Sequence, residues 1–382
     1  MTDPLPPRPS FALAPPARVG MAVADVDTPA LLLDLDAFEA NLAAMTASLA
    51  DTGIRLRPHA KSHKCPEIAR RQIAAGAVGI CCQKASEAEA FIQAGIGDVL
   101  VANEVVGDAK LRRLARLAGQ ATLSVCVDHA DAVRDLEAAM AREGARVDVL
   151  VEVDVGASRC GVEAGPAVVT LARLVADAPH LRFAGLQGYQ GSAQHVRSAG
   201  GRRDAIATAG RLLRECVDLL RSAGLDPRVV TGGGTGTYLN EATSGVYTEV
   251  QAGSYIFMDA DYARNLDAAG KPFAAFRQSL FVLSTVMSRP TDRRAVVDVG
   301  LKAHSVDSGM PLVADVAGAT YVNVSDEHGV LDLAGDRVSL GQKLRLIPGH
   351  CDPTVNLYDW LVCYRGERVE DVWPIAARGA FY

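Results

Sequence analysis

Between residues 28 and 257, short runs rich in Val, Ile and Leu alternate with longer amphipathic stretches heavy in Ala, Leu and Arg, and nothing else in the chain restricts the fold as much. The apolar runs lie near 28–35, 54–58, 78–82, 98–102, 122–127, 147–154, 182–188, 228–231 and 247–257. Between them stand the helix-like segments Ala37–Ala50, Pro66–Ala75, Ser86–Ala94, Ala109–Leu117, Ala130–Arg142, Pro166–Ala178 and Asp204–Ala223. One strand and one helix in every unit of roughly 20–30 residues imply parallel strands with helical crossovers, because a tight turn cannot join parallel neighbours. Nine such runs exceed an eight-stranded barrel by one. The eight from about 54 to 257 make a complete (β/α)8 set and leave Pro29–Asp36 over. A doubly wound open sheet is the competing arrangement.

After about residue 265 the helical periodicity stops. Short strand-like runs then follow one another with turn residues between them: Leu280–Val286, Arg294–Asp298, Gly318–Val324, Val330–Leu333, Lys343–Ile347, Trp360–Tyr364 and Val369–Pro374. The expected architecture is an α/β protein: a proline-rich arm over 1–26, a TIM-type (β/α)8 barrel over 27–264, and a second, mostly antiparallel β domain over 265–382. The surplus first strand, 28–36, is available to pair with the β domain.

Composition narrows the partners. A net charge of −6 and the lack of a long basic block argue against nucleic acid or an anionic membrane surface. No apolar stretch approaches the ~18 residues of a spanning helix, and the N-terminus has no basic start followed by an apolar run. The eight cysteines form no CxxC pair, and several sit inside apolar strand-like runs, as buried free thiols of a reducing compartment do. A cytoplasmic protein is expected.

Barrel active sites gather at the carboxyl ends of the strands. Here those positions carry Arg57–Lys64 (RPHAKSHK), Gln83-Lys84, Asp154–Gly161, Gln187–His195, Thr231–Thr237 (TGGGTGT) and Gln251–Tyr255. The glycine run Gly232–Gly236 follows the seventh strand, where barrels commonly hold phosphate, and its backbone N–H groups can face an anion with no Cβ in the way. A plain tight loop would have the same composition. Lys61 is flanked by His59, His63 and Lys64, and a cationic, partly desolvated setting lowers a lysine pKa so that the free amine can form a Schiff base. A solvated basic turn is the plain alternative. A phosphate anchor opposite a reactive lysine is what pyridoxal 5'-phosphate (PLP) requires, and Arg159 is placed to meet its phenolate oxygen. In the β domain, His350 and Asp352 flank Cys351. Read as extended chain, residues i and i+2 share a face, so His350 and Asp352 point together and Cys351 points away. One imidazole and one carboxylate are half of a catalytic metal site and suit Mn2+, Mg2+, Co2+ or Zn2+.

Taken together, Arg57–Lys64, Cys81–Lys84, Asp154–Val162, Gly232–Gly236, Gln251–Asp259 and Gly349–Asp352 resemble the D-threonine aldolase group, part of the alanine-racemase-like fold of PLP enzymes. Sister activities on that scaffold are 3-hydroxy-D-aspartate aldolase and the D-serine and D-threo-3-hydroxyaspartate dehydratases. Tyr189–His195, Lys302–Pro311 (KAHSVDSGMP) and Gly349–Pro353 look nearer the hydroxyaspartate aldolase, and Arg57–Arg70 nearer D-threonine aldolase. The resemblance implies that Lys61 bonds the cofactor, with Gln83, Arg159 and Tyr189 around its ring. It places Thr235, Gly236, Gly253, Ser254 and Tyr255 around its phosphate. It gives His350 and Asp352 to a divalent metal, and His195 to the substrate β-hydroxyl as a second catalytic residue. It also implies a homodimer. The activity implied is a carbon–carbon lyase that cleaves a D-3-hydroxy-α-amino acid to glycine and an aldehyde or glyoxylate. A second substrate carboxylate would need partners, for which Lys302, His304 and Ser308 are candidates. A metal-dependent dehydratase uses the same residues, although its D-serine branch is expected to carry cysteine at the position of Asp352. A racemase or a non-catalytic PLP carrier has no use for the His350–Asp352 pair.

Overall fold

A computed structural model describes residues 14–335 and 338–382. Half of the expected arm, residues 1–13, lies outside the described residues. Residues that follow it run along the second domain, where Gly20 and Val23 donate backbone hydrogen bonds to Val369 and Glu367.

Strand β1 (Ala30–Asp34) leads into helix α1 (Leu35–Leu49), capped by the Asp34 side chain at Ala37 N. The barrel strands are β2 (Arg55–Leu56), β3 (Ile80–Cys82), β4 (Asp98–Glu104), β5 (Thr122–Val127), β6 (Val147–Asp154), β8 (Leu181–Gln187), β9 (Val229–Gly232) and β10 (Glu249–Val250), with a two-residue β7 (Val162–Glu163) on β6. Between them come α2 (Pro66–Ala74), α3 (Ala85–Gln93), α4 (Asp108–Ala118), α5 (Ala130–Glu143), α6 (Pro166–Ala176), α7 (Ala199–Ser222) and the short α8 (Tyr238–Ala242). All barrel neighbours are parallel, in the order β2-β10-β9-β8-β6-β5-β4-β3. The ends meet: His59 bridges Cys81 in parallel, and Val78 and Cys81 donate to the carbonyls of Leu56 and Pro58. That closure excludes the open doubly wound sheet. Arg57 sits at the seam, bonding Asp98 at 2.6 Å and Glu249 at 3.0 Å.

The second sheet contains β11 (Leu280–Thr291), β12 (Arg294–Val297), β13 (Leu312–Val313), β14 (Ala319–Val324), β15 (Gly329–Leu333), β16 (Lys343–Ile347), β17 (Trp360–Arg365) and β18 (Arg368–Pro374). Its order is β14-β15-β12-β11-β1-β17-β18, with β16 on β11 and β13 on β16. All pairings are antiparallel except β1 with β17. The surplus strand β1 is therefore central here. Its uninterrupted apolar run fits that place, because both faces are covered. Leu31 and Leu33 pack with Phe38, Tyr255 and Leu280, whereas Ala30 and Leu32 pack with Phe281, Val362 and Tyr364. The first of these cores also takes Ile68, Tyr238 and Val250 from the barrel and Leu344 and Trp373 from the sheet. One continuous core thus fixes the sheet against the barrel. No helix among the described residues is long and apolar enough to cross a membrane.

Three local expectations change. Helix α7 starts at Ala199, ahead of the expected Asp204, because the Ser198 hydroxyl caps Gly201 N and offsets the poor helix propensity of Gly200 and Gly201. The eighth barrel strand keeps only Glu249–Val250 of 247–257. The chain then turns under His59, whose carbonyl would lie 2.4 Å from a Cβ at position 253. The segment from His350 to Asp352 is not extended: His350 is the N-cap of a short helix α9 (Cys351–Val355).

Candidate active site

A cavity of about 170 Å³, partly open to solvent, occupies the carboxyl end of the barrel and is roofed by the β domain. Each barrel strand that reaches it delivers side chains from the loop after it. Lys61 comes after β2, Gln83 after β3, Arg159 after β6, Tyr189 and His195 after β8, Gly233, Gly234 and Thr235 after β9, and Gln251, Gly253 and Ser254 after β10. His350 and Asp352 enter from the β domain, between β16 and β17. Because α9 begins at this point, the alternation argument does not account for their shared direction. The cap residue and the second helical residue both meet the cavity, while Cys351 between them is fully buried, its N–H donated to Asp259.

Lys61 lies in the turn Ala60–Ser62, with its Nζ 3.8 Å from Asp352 Oδ2. Its pKa is not lowered, contrary to the reading from its neighbours. Burial alone would lower it, but the Asp352 carboxylate and the Tyr189 phenol outweigh burial and raise it. The neighbouring cations have been disarmed. Burial holds His59 well below the usual imidazole value and His63 down to about 3, so both are neutral. Lys64, at φ 52°, is buried and paired with Glu87. His59 Nε2–H donates to Gln83 Oε1 at 3.1 Å, which assigns its tautomer and holds Gln83 in the wall.

The Arg159 guanidinium stands 5.5 Å from the centre of the Tyr189 ring and 4.0 Å from Glu152 Oε1. His195 Nδ1 meets Asp261 Oδ2 at 2.7 Å. Burial opposes ionisation of Asp261, but hydrogen bonds from Arg197, His195 and Arg264 hold it below the usual carboxylate range. A carboxylate only accepts, so Nδ1–H donates, and in the neutral imidazole the free lone pair is on Nε2. The same logic applies to His350, whose Nδ1 lies 2.8 Å from Asp307 Oδ2.

The glycine-rich loop contributes an unsatisfied group. Thr235 Oγ1 is buried with no hydrogen-bond partner among the described residues, an unfavourable state that an anionic oxygen would relieve. Gly233, at φ 80°, and Gly234 leave no room for a side chain, since a Cβ would lie 3.0 Å from the Glu241 carboxyl carbon and 2.6 Å from Gln194 Oε1 respectively. The unsatisfied Thr235 hydroxyl, the Lys61 amine and the Arg159–Tyr189 pair line one cavity, and together they fit PLP. An imidazole nitrogen and a carboxylate from His350 and Asp352 fit a divalent cation that takes nitrogen and oxygen donors.

Some expected contacts fall elsewhere. Gly236 donates its N–H to Gln194 Oε1 at 2.9 Å and is used within the loop. Tyr255 is in the core, receiving a hydrogen bond from Gln72 and packing on Phe276. Lys302 pairs with Glu327 on the surface, His304 is buried against Tyr321, and the Ser308 hydroxyl is spent on Asp307. None of these three lines the cavity of this chain. Asp261, Tyr262 and Gln194 were missed and do line it. The acidic-aromatic run Asp259–Tyr262, just past the last barrel strand, was the available signal.

A family model for the alanine racemase N-terminal domain matches residues 33–261, and one for a serine dehydratase domain matches residues 279–364. The barrel and β domain together define a protein of the alanine-racemase-like fold. Within it, the chain is 51% identical over 371 residues to the D-threonine aldolase of Arthrobacter sp., covering 97% of both chains. It is 48% identical to the 3-hydroxy-D-aspartate aldolase of Paracoccus denitrificans (strain Pd 1222), covering 96% of both. The crystal structure of D-threonine aldolase from Filomicrobium marinum superposes with a TM-score of 0.94 at 50% identity, covering 96% of this chain and all of that one. The chain belongs to the family that holds these D-threonine and 3-hydroxy-D-aspartate aldolases.

Proposed function

We propose that the protein is a PLP- and divalent-metal-dependent aldolase that cleaves D-3-hydroxy-α-amino acids, of the D-threonine or 3-hydroxy-D-aspartate type, to glycine and an aldehyde or glyoxylate. The observation that carries this reading is the meeting of two domains at one point. The β domain brings His350 and Asp352 to the cavity that holds Lys61, with Asp352 Oδ2 3.8 Å from its Nζ. A cofactor carrier needs no such roof, and a racemase needs no imidazole–carboxylate pair.

When bound, PLP supplies an electron sink for charge that develops at Cα, and a divalent cation held by His350 and Asp352 supplies positive charge that acidifies a nearby hydroxyl. The chain does the rest. Lys61 would hold the cofactor through its side-chain amine. Thr235, Gly233, Gly234, Gly253 and Ser254 would seat the phosphate, and Arg159 and Tyr189 would hold the ring. His195 Nε2 accepts the proton of the β-hydroxyl, and the ionised Asp261 balances the charge that appears on the imidazole. Release of that proton drives cleavage of Cα–Cβ, and protonation at Cα yields glycine.

A dehydratase is the alternative. The carboxylate at position 352 and the complete burial of Cys351 support the aldolase, since no thiol faces the cavity at that point. Eight unpaired cysteines, seven of them buried, support a reducing, cytoplasmic setting, and a homodimer is proposed as in the fold class. The test is direct. Purified protein with PLP and Mn2+ receives D-threonine and the 3-hydroxy-D-aspartate diastereomers, with L-isomers and EDTA as controls. Glycine plus acetaldehyde or glyoxylate, lost in EDTA, is expected. Ammonia plus a 2-oxo acid without glycine would replace the aldolase with a dehydratase.

A further inference from the structure

The loop Ser305–Gly309 is keyed to the segment that carries His350 and Asp352. Ser305 N donates to Thr354 Oγ1 at 3.2 Å, and Thr354 Oγ1 donates to the His350 carbonyl at 2.8 Å. The two backbones also press together: a Cβ on Gly349 would lie 2.0 Å from the Gly309 carbonyl oxygen. Inside this loop Asp307 is held by its own neighbours. Ser305 Oγ donates to Oδ1 at 2.7 Å and Ser308 Oγ to Oδ2 at 3.1 Å. The third donor is His350 Nδ1, at 2.8 Å from Oδ2.

We infer that Asp307 is the positioning residue of the metal site: its serine-braced carboxylate fixes the tautomer and ring angle of His350, so that Nε2 presents a preset lone pair to the cation. The inference rests on His350 being a metal ligand, as proposed above. Its physical basis is general. A ligating imidazole binds through one nitrogen, and a carboxylate on the other raises its basicity and removes the entropy of ring rotation. The paired serines explain how an otherwise solvent-facing aspartate holds one orientation. They also give the Ser305–Ser308 stretch a role distinct from binding a substrate carboxylate.

The experiment measures Mn2+ binding to the full-length protein by electron paramagnetic resonance of free ion, without substrate or turnover. Wild type, His350→Ala, Asp307→Asn and Asp307→Glu are compared, each with a thermal midpoint taken in EDTA. Asp307→Asn is expected to weaken Mn2+ binding roughly 10–100-fold with the metal-free midpoint unchanged. Asp307→Glu, which keeps a carboxylate, is expected to recover part of the loss. His350→Ala is expected to abolish the site. Normal affinity in Asp307→Asn, with loss in His350→Ala, would overturn the positioning role and leave the metal site standing. Normal affinity in His350→Ala would overturn both. A lowered metal-free midpoint in Asp307→Asn, with no rescue by glutamate, would make Asp307 a stabilising residue of the loop and overturn the inference.

Discussion

His195 and Asp261 are joined through Nδ1 and Oδ2 at 2.7 Å, although one follows a barrel strand and the other lies past the last of them. Asp261 is itself anchored by Arg197 and Arg264, so the imidazole leans on a fixed carboxylate. Replacing His195 by alanine is expected to lower kcat about 10²–10⁴-fold, the usual contribution of a positioned base. Asp261→Asn is expected to cost at least about 10-fold in kcat with KM little changed, since orientation and counter-charge are lost but the cavity is intact. Steady-state kinetics on both variants, with bound PLP quantified, checks this.

Lys61 provides a chemical rather than kinetic test. Borohydride treatment of the PLP-loaded protein is expected to fix one cofactor on the peptide containing Lys61, read by mass spectrometry. In Lys61→Ala the label is expected to disappear and PLP to be removable by gel filtration. A label on Lys64 would contradict the structure, in which Lys64 is buried against Glu87.

Glu241 sits behind the glycine-rich loop, fully buried, with Oε1 accepting from Thr237 at 2.7 Å and Oε2 without a partner among the described residues. Burial pushes its pKa from 4.5 up to about 7. Between those two values the folded state holds more protons than the unfolded one, so stability from this group is complete below pH ~4.5 and falls as pH rises through ~7. The total effect is on the order of 3 kcal/mol. Glu241→Gln is expected to match wild type near pH 5 and to exceed it at pH 8, measured by urea unfolding at both.

Leu33 is fully buried where β1 passes between β11 and β17. Leu33→Ala is expected to cost about 2–5 kcal/mol, for the lost burial and the residual void. Equilibrium denaturation of the metal-free protein measures it.

The sequence carried the barrel because parallel strands, covered on both sides, are written as apolar runs such as Val99–Ala102. Neighbour composition could not convey what surrounds a side chain in space. Lys61 looked crowded by cations, but His59, His63 and Lys64 are each neutralised by burial or by Glu87, and the group that dominates is Asp352, distant in sequence. His350 and Asp352 were found for their chemistry rather than their geometry, since a helical cap and not an extended chain aims them. Tyr255 and Gly236 matched a motif, yet core packing and Gln194 claim them. The Asp307 and Asp261 contacts span 43 and 66 positions, and no local periodicity reports pairings of that range.

The placement of β1 reaches further than the sheet it completes. Its partners Leu283 and Leu361 lie beyond the whole barrel, so the barrel is an insertion inside the β domain rather than its predecessor. As the chain is synthesised, the strand that becomes the sheet's centre must wait, apolar on both faces, until everything between has been made. Cutting the protein near residue 265 therefore does not yield two independent units. One fragment keeps an orphaned strand, the other a sheet split down the middle, and the two halves of the catalytic cavity mature together or not at all.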